Sequence, residues 1–80
     1  MANFSKNKPY TYKNYSTQKK YVENKLSEIE KISDKGTRLG QYYAFVIELE
    51  KTKAQYGGHY MGVGKACSEG MQIARKLARG

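Results

Sequence analysis

Apolar residues recur with the period of an α-helix in residues 16–34. Spacings of three and four residues place these side chains on one helical face. Ser16 or Thr17 offers a capping hydroxyl at the start, and Gly36 stands where a glycine commonly follows a helix. The pattern predicts an amphipathic helix with a mixed-charge solvent side. Its apolar stripe consists of Val22, Leu26, Ile29 and Ile32.

Residues 41–50 alternate with the period of a β-strand. Aromatic and β-branched residues are enriched here, and Gly40 and Gly57 bound the region, which together favour a strand. A helix over 41–55 is the alternative, because a second apolar set in the same region has helical spacing. The strand face would carry Tyr43, Phe45, Ile47 and Leu49. The helical stripe would carry Tyr42, Phe45, Val46, Leu49 and Lys53.

A glycine-rich region follows a polar turn at 51–55 and is the candidate for a second strand, over 56–63. Glycine weakens a regular strand, so four of them indicate a bulge, a bend or a place where another backbone approaches closely. A short strand over 37–39 is a weaker candidate for a third. The four glycines are Gly57, Gly58, Gly62 and Gly64.

Residues 68–79 have the pattern of a second amphipathic helix. Ser68 can cap its start, and Glu69 suits the positive end of the helix dipole. Positive side chains fall on the side opposite the apolar stripe and toward the C-terminal end. The predicted buried stripe consists of Ile73, Ala74, Leu77 and Ala78.

Together these elements predict an α+β fold, with an N-terminal helix, a small antiparallel sheet of two or three strands and a C-terminal helix. An all-α fold is the alternative if residues 41–55 are helical. Residues 1–15 contain Lys6, Lys8 and Lys13 and no acidic residue, a composition typical of a flexible basic arm. Residues 16–80 are then a single compact domain.

Positive charge is in large excess. Fifteen Lys and Arg residues oppose seven Asp and Glu residues in 80, which gives a net charge of +8 at pH 7. Such a balance indicates an anionic partner, with nucleic acid the leading candidate. No apolar run approaches the ~18 residues of a membrane span, and the single cysteine, Cys67, suits a reducing compartment. We expect a cytoplasmic protein with no membrane partner.

The sequence shows no set of residues typical of catalysis or metal binding. His59 is the only histidine and Cys67 the only cysteine, so no zinc set can be assembled within the chain. The Gly64-Lys65 pair is not a Walker A loop, because the required first glycine falls on His59 and Ala66 replaces the magnesium-binding hydroxyl. We expect no metal, no cofactor and no enzymatic activity.

Several cations lie where we expect contact with phosphate. Lys65 follows two glycines at the start of the C-terminal helix, where backbone N–H groups and the helix dipole favour an anion. The cations of that helix share one side, although they also complement the dipole at its C-terminal end. Tyr60 offers a ring for base stacking beside neighbouring lysines. The candidate nucleic-acid-binding residues on these grounds are Lys51, Lys53, Tyr60, Lys65, Arg75, Lys76 and Arg79.

Residues 30–79 carry several short motifs in an order that is informative. They are Lys35-Gly36-Thr37-Arg38-Leu39, Phe45-Val46-Ile47, the set Gly62, Gly64, Lys65 and Ala66, and the set Glu69, Ile73, Ala74 and Lys76. This order resembles the N-terminal half of the ribosomal protein S-five family, whose domain is similar to double-stranded-RNA-binding domains. The resemblance implies a reader of A-form shape and backbone. It also implies phosphate contacts from Lys65 and the C-terminal helix, with Arg38 contributing from the preceding loop.

We therefore expect a non-catalytic nucleic-acid-binding protein that contacts the phosphate backbone, with RNA favoured over DNA. The alternative is a phage or mobile-element protein that binds and inhibits a host protein or nuclease complex. In that case the tyrosines would serve as anchors in a protein interface.

Overall fold

The computed structural model describes residues 14–80, and this part of the chain folds as three helices. They are α1 (Tyr15–Glu30), α2 (Lys35–Tyr56) and α3 (Met61–Ala78). The starts of α1 and α3 lie together, since Tyr15 contacts Gly62, whereas α2 runs in the opposite direction. None of the described helices is both long and apolar enough to cross a membrane. The proposed arm over 1–15 lies outside the described residues, apart from Asn14 and Tyr15.

The first helix is present, but its ends differ from the prediction. Asn14, rather than Ser16 or Thr17, is the cap, and its side chain accepts a hydrogen bond of 2.8 Å from the Thr17 backbone N–H. The helix ends at Glu30, four residues earlier than predicted. Gly36 does not terminate it, because Gly36 lies in the first turn of α2.

The predicted α+β fold is wrong, since residues 14–80 contain three helices and no strand. Residues 41–50 lie within α2, as the alternative helix required. The burial pattern shows which apolar set covers the core. Tyr43 and Ile47, which belong only to the strand pattern, are 65% and 52% exposed. The residues of the helical stripe that are buried are Tyr42, Phe45, Val46 and Leu49.

A good cap and a large buried face make α2 helical despite its glycines. Asp34 caps the start, accepting from the backbone N–H and the hydroxyl of Thr37 at 2.8 and 2.7 Å. Gly40, in the interior of α2, costs about 1 kcal/mol relative to alanine. Burial of each large apolar side chain contributes roughly 1.5–3 kcal/mol. Four such side chains outweigh the glycine by a wide margin.

The second predicted strand, over 56–63, is also wrong, but one interpretation of its glycines is confirmed. A Cβ atom on Gly57 would lie 2.6 Å from the Lys53 carbonyl oxygen and 3.4 Å from the Gly64 Cα. A Cβ atom on Gly62 would lie 2.7 Å from the Tyr15 backbone nitrogen. These glycines therefore permit close approach of the helix ends. The third strand, predicted over 37–39, is wrong as well, because these residues lie in α2.

The predicted C-terminal helix is the second part of the longer helix α3. Ser68 is therefore not a cap, because α3 begins at Met61 after Tyr60. At its middle, α3 contacts both other helices. A Cβ atom on Gly70 would lie 2.8 Å from a methyl group of Val22 in α1 and 3.0 Å from one of Leu49 in α2. The core thus forms around α3, which packs between its two neighbours.

Candidate nucleic-acid interface

The solvent side of α3 carries most of the cations that the sequence singled out. The buried residues of this helix, such as Val63, Gly70 and Ala74, face α1 and α2. At about 100° per residue, the polar residues fall on the opposite side. The three cations of α3 and Arg79, which directly follows the helix, are all exposed. A shallow depression of about 420 Å³ on this side is lined by Gln72, Ile73, Arg75, Lys76 and Arg79.

A groove between α2 and α3 adjoins this side of the bundle. Its volume is about 600 Å³. The Lys53 Nζ atom donates to the Ser68 Oγ atom at 2.8 Å, which holds the lysine at one end of the groove. Because α2 and α3 are antiparallel, Lys53 joins the α3 cations although it lies on another helix. The α2–α3 groove is lined by Glu50, Lys53, Ala54, Ser68, Met71, Gln72 and Arg75.

One carboxylate lies in the groove lining, and it is already paired. An Arg75 Nη2 atom lies 3.2 Å from the Glu50 Oε2 atom, and both side chains are about half exposed. Exposed ion pairs of this kind contribute about 0–1 kcal/mol. A phosphate group could therefore replace Glu50 as the partner of Arg75 at little energetic cost.

The same surface continues to an exposed aromatic ring. A further depression of about 260 Å³ is lined by Tyr43, Arg75, Ala78 and Arg79. From Ser68 to Arg79, α3 extends about 16 Å at 1.5 Å per residue. One strand of a B-form duplex carries about five phosphates over that length, at 3.4 Å each. We call Lys53, Arg75, Lys76 and Arg79 the basic face.

Lys65 lies nearer the start of α3, in a separate cluster. Its Nζ atom is 5.3 Å from the centroid of the Tyr15 ring, and the Lys19 Nζ atom is 5.6 Å from the same centroid. The Tyr15 hydroxyl donates to a Glu69 carboxylate oxygen at 2.6 Å. This hydrogen bond raises the pKa of Tyr15. Two cations and one acid are therefore gathered around a single ring.

The glycine turn expected beside Lys65 is replaced by the first turn of α3. Residues 62–65 are helical. A Cβ atom on Gly62 would meet Tyr15, and one on Gly64 would meet Gly57 at 3.4 Å. Helix packing therefore accounts for both glycines.

Three other predicted residues lie away from the basic face. Arg38 donates from its Nη1 atom to the carbonyl oxygens of Ile32 and Ser33, at 2.9 and 3.4 Å, and so holds the loop between α1 and α2. Lys51 is exposed on the side of α2 remote from α3. Tyr60 precedes α3 and packs partly buried against the core.

Three residues of the surface were not predicted as binding residues, namely Tyr43, Glu50 and Ser68. Tyr43 was assigned to the core face of a strand, and Ser68 to a helix cap. The helical alternative for residues 41–55 contained the missing signal, because it leaves Tyr43 outside the apolar stripe.

The described residues contain no cluster of three or more His, Cys, Asp or Glu residues that could hold a metal ion. Cys67 is buried, and burial raises the pKa of its thiol. The Gln18 Nε2 atom approaches its sulfur at 3.6 Å, while the Gln18 Oε1 atom has no hydrogen-bond partner among residues 14–80. This buried pair joins α1 to α3 and lies within the core.

Comparison with known proteins finds no matching family model, no matching curated protein and no matching solved structure. The motifs that resemble the ribosomal S-five family lie on helices here. The expected strand Phe45-Val46-Ile47 is part of α2, and Gly62 and Gly64 lie in α3. The sheet that the resemblance implied is therefore absent from residues 14–80.

Proposed function

We propose that this protein is a non-enzymatic nucleic-acid-binding protein that contacts the phosphate backbone through its basic face. The supporting observation is the convergence of four exposed cations from two helices on one continuous surface. Among the described residues that line the α2–α3 groove, Glu50 is the single carboxylate. It makes only an exposed ion pair with Arg75. The surface therefore favours an extended polyanion.

The chemistry of the basic face suits phosphate better than base edges. Arg75 and Arg79 carry planar guanidinium groups that can contact phosphate oxygens with two parallel hydrogen bonds. Ser68 and Gln72 add neutral donors of the kind that commonly position a nucleic-acid backbone. Tyr43, at the end of the surface, offers a ring on which an unpaired base can stack. Such contacts give affinity with little sequence preference.

The proposed target is RNA rather than DNA. We further propose that the protein works in a reducing compartment, the cytoplasm. The preference for RNA comes from the ribosomal resemblance, whose implied sheet is absent from the described residues. Duplex RNA is therefore the first ligand to test, with duplex DNA and single strands of the same length beside it.

The test is a titration of labelled duplex RNA, duplex DNA and single strands at two salt concentrations. The logarithm of affinity falls with the logarithm of salt with a slope of about −0.9 per neutralised phosphate on a duplex. Four contacts predict a loss of about 100-fold between 50 and 200 mM salt. Weak, salt-insensitive binding to every ligand would overturn the proposal and favour the alternative of a host-protein inhibitor.

Paired variants locate the surface. Arg75→Glu with Lys76→Glu should weaken binding at least about tenfold and flatten the salt slope. Lys20→Glu is the control for a charge reversal, since Lys20 is exposed on the solvent side of α1. To match both charge reversals, Lys20→Glu is combined with Lys25→Glu in a double variant. If this double variant weakens binding as much as the Arg75 and Lys76 variant does, net charge rather than the basic face governs binding.

A further inference from the structure

Tyr43 is the one tyrosine of residues 14–80 that the fold leaves exposed. Its neighbour Tyr42 is buried in the core, at 4% exposure, whereas Tyr43 is 65% exposed. The other tyrosines in this part of the chain are all at least partly buried. Helical geometry explains the difference, because about 100° separates consecutive residues and turns Tyr43 away from the apolar stripe of α2. As a result, α2 presents an aromatic ring to solvent.

Two arginines lie beside this ring. Tyr43, Arg75, Ala78 and Arg79 line the depression of about 260 Å³ described above, which we call the Tyr43 depression. Its volume lies below the roughly 300–1,000 Å³ of sites for drug-sized ligands, so it suits one planar group. Arg75 and Arg79 are one helical turn apart, about 6 Å along the helix axis. The depression thus combines an aromatic ring with two cations that belong to the basic face.

The Tyr43 depression is continuous with the rest of the basic face. Arg75 lines this depression and also its two neighbours, the depression on the solvent side of α3 and the α2–α3 groove. A strand whose phosphates follow the cations of α3 therefore reaches the Tyr43 ring through an arginine that it already contacts. The charge of the surroundings thus favours a polyanion as the molecule that covers the ring.

A nucleic-acid base can use this ring only when it is unpaired. In a duplex, neighbouring base pairs cover the faces of each base, whereas the bases of a single strand can be splayed out and stacked on aromatic rings or on arginine guanidinium planes. A duplex reader of the double-stranded-RNA-binding type also covers about 16 base pairs. The basic face extends only about 16 Å from Ser68 to Arg79, which is too short for that mode. The surface therefore favours a single strand.

We infer, on the premise of the proposed function, that the Tyr43 depression binds one unpaired nucleotide and so gives the protein a preference for single-stranded nucleic acid over a blunt duplex. The base stacks on the Tyr43 ring, while Arg75 and Arg79 contact the phosphates next to it. Every base has a face that can stack, so the preference concerns the number of strands and not the sequence. Tyr43 is then the residue that determines this specificity.

The test uses fluorescence anisotropy with three ligands, namely a single strand of about 10 nucleotides, a blunt duplex of the same length and an abasic strand with the same phosphates. The wild type should bind the single strand more tightly than the duplex, and at least about fivefold more tightly than the abasic strand, because stacking of one base contributes that factor or more. Tyr43→Ala should lose the same factor on the single strand only. Since stacking neutralises no phosphate, the slope of affinity against salt should not change.

Tyr43→Phe is the conservative control, because it keeps the ring and removes only the hydroxyl group. It should bind the single strand within about twofold of the wild type. Arg75→Glu with Lys76→Glu should instead flatten the salt slope on all three ligands.

The outcomes separate this inference from the proposed function. If binding depends on salt but the wild type prefers the duplex, or Tyr43→Ala has no effect on the single strand, or weakens the abasic strand equally, the inference is overturned and the proposed function stands. If none of the ligands binds in a salt-dependent way, both are overturned.

Discussion

Gly70 is the residue on which the packing of three helices depends most directly. An added Cβ atom would lie 2.8 Å from the Val22 Cγ1 atom and 3.0 Å from the Leu49 Cδ1 atom. Gly70→Ala gains about 1 kcal/mol of helix propensity, but overpacking costs about 1–3 kcal/mol. We expect a net loss of about 1 kcal/mol in the free energy of unfolding, measured with urea.

Gly40→Ala provides the control for that substitution, because its added Cβ atom would meet no atom of the described residues within 4 Å beyond its own helical turn. It should raise the free energy of unfolding by about 0.5–1 kcal/mol at a dilute protein concentration. Equal stabilisation by both alanines would show that α1 and α2 can move away from α3 without cost.

Asp34 makes the start of α2 sensitive to acid. Hydrogen bonds from Thr37 hold the pKa of this carboxyl below its ordinary value of 3.8. A carboxyl whose pKa is lowered on folding stabilises the protein above the unfolded pKa, and that stabilisation is lost as the pH falls through the folded pKa. Thermal unfolding of the wild type and Asp34→Asn should therefore differ most above about pH 4 and converge toward pH 2. A difference that does not depend on pH would contradict this expectation.

At the scale of elements, α2 can be distinguished from a strand by one pair of substitutions. Ile47 and Leu49 share a face in a strand, but about 200° separates them in a helix. Leu49 is fully buried and Ile47 is half exposed. Leu49→Ala should cost about 2–5 kcal/mol, whereas Ile47→Ala should change stability by less than about 0.5 kcal/mol. Urea unfolding at low protein concentration measures both, and similar losses would contradict the helix.

Sequence periodicity was ambiguous in this element for a definable reason. Phe45 and Leu49 satisfy both the two-residue and the helical period, because they lie four residues apart. The two patterns differ in the other two apolar residues. The helical stripe contains Tyr42 and Val46, whereas the strand face contains Tyr43 and Ile47, and the two pairs have nearly the same hydrophobicity. The bounding glycine Gly57 favoured a short strand. Its actual role, close contact with Gly64, depends on tertiary packing that local pattern does not contain.

One error in the candidate site follows from the error in this element. The sequence pattern placed Lys51 and Lys53 together in a polar turn after a strand. On α2 they diverge, and only Lys53 reaches the groove, where it contacts Ser68. Arg75, Lys76 and Arg79 were grouped correctly because their segment was predicted as a helix. The sequence therefore predicted which of these cations share a side of the molecule only where it also predicted the correct secondary structure.

At the scale of the whole molecule, Glu50 limits the affinity of the proposed surface. Its carboxylate is paired with Arg75 and would repel an arriving phosphate. Glu50→Gln should increase affinity for nucleic acid by about 2–5-fold at low salt, in keeping with the small energy of an exposed ion pair. Fluorescence anisotropy at several salt concentrations measures the change.

Glu23→Gln supplies the comparison, because it removes the same charge from an exposed position on α1. A gain confined to Glu50→Gln would place the polyanion near Arg75. Equal gains in both variants would indicate that only the total charge of the molecule matters.

The central position of α3 has a consequence for biosynthesis. This helix leaves the ribosome after both helices that it joins, so the apolar faces of Val22 and Leu49 emerge before the surface that covers them. Until α3 has packed between them, these apolar faces remain accessible to chaperones and proteases. Quality control of this protein should therefore act chiefly on chains in which α3 has not yet joined α1 and α2.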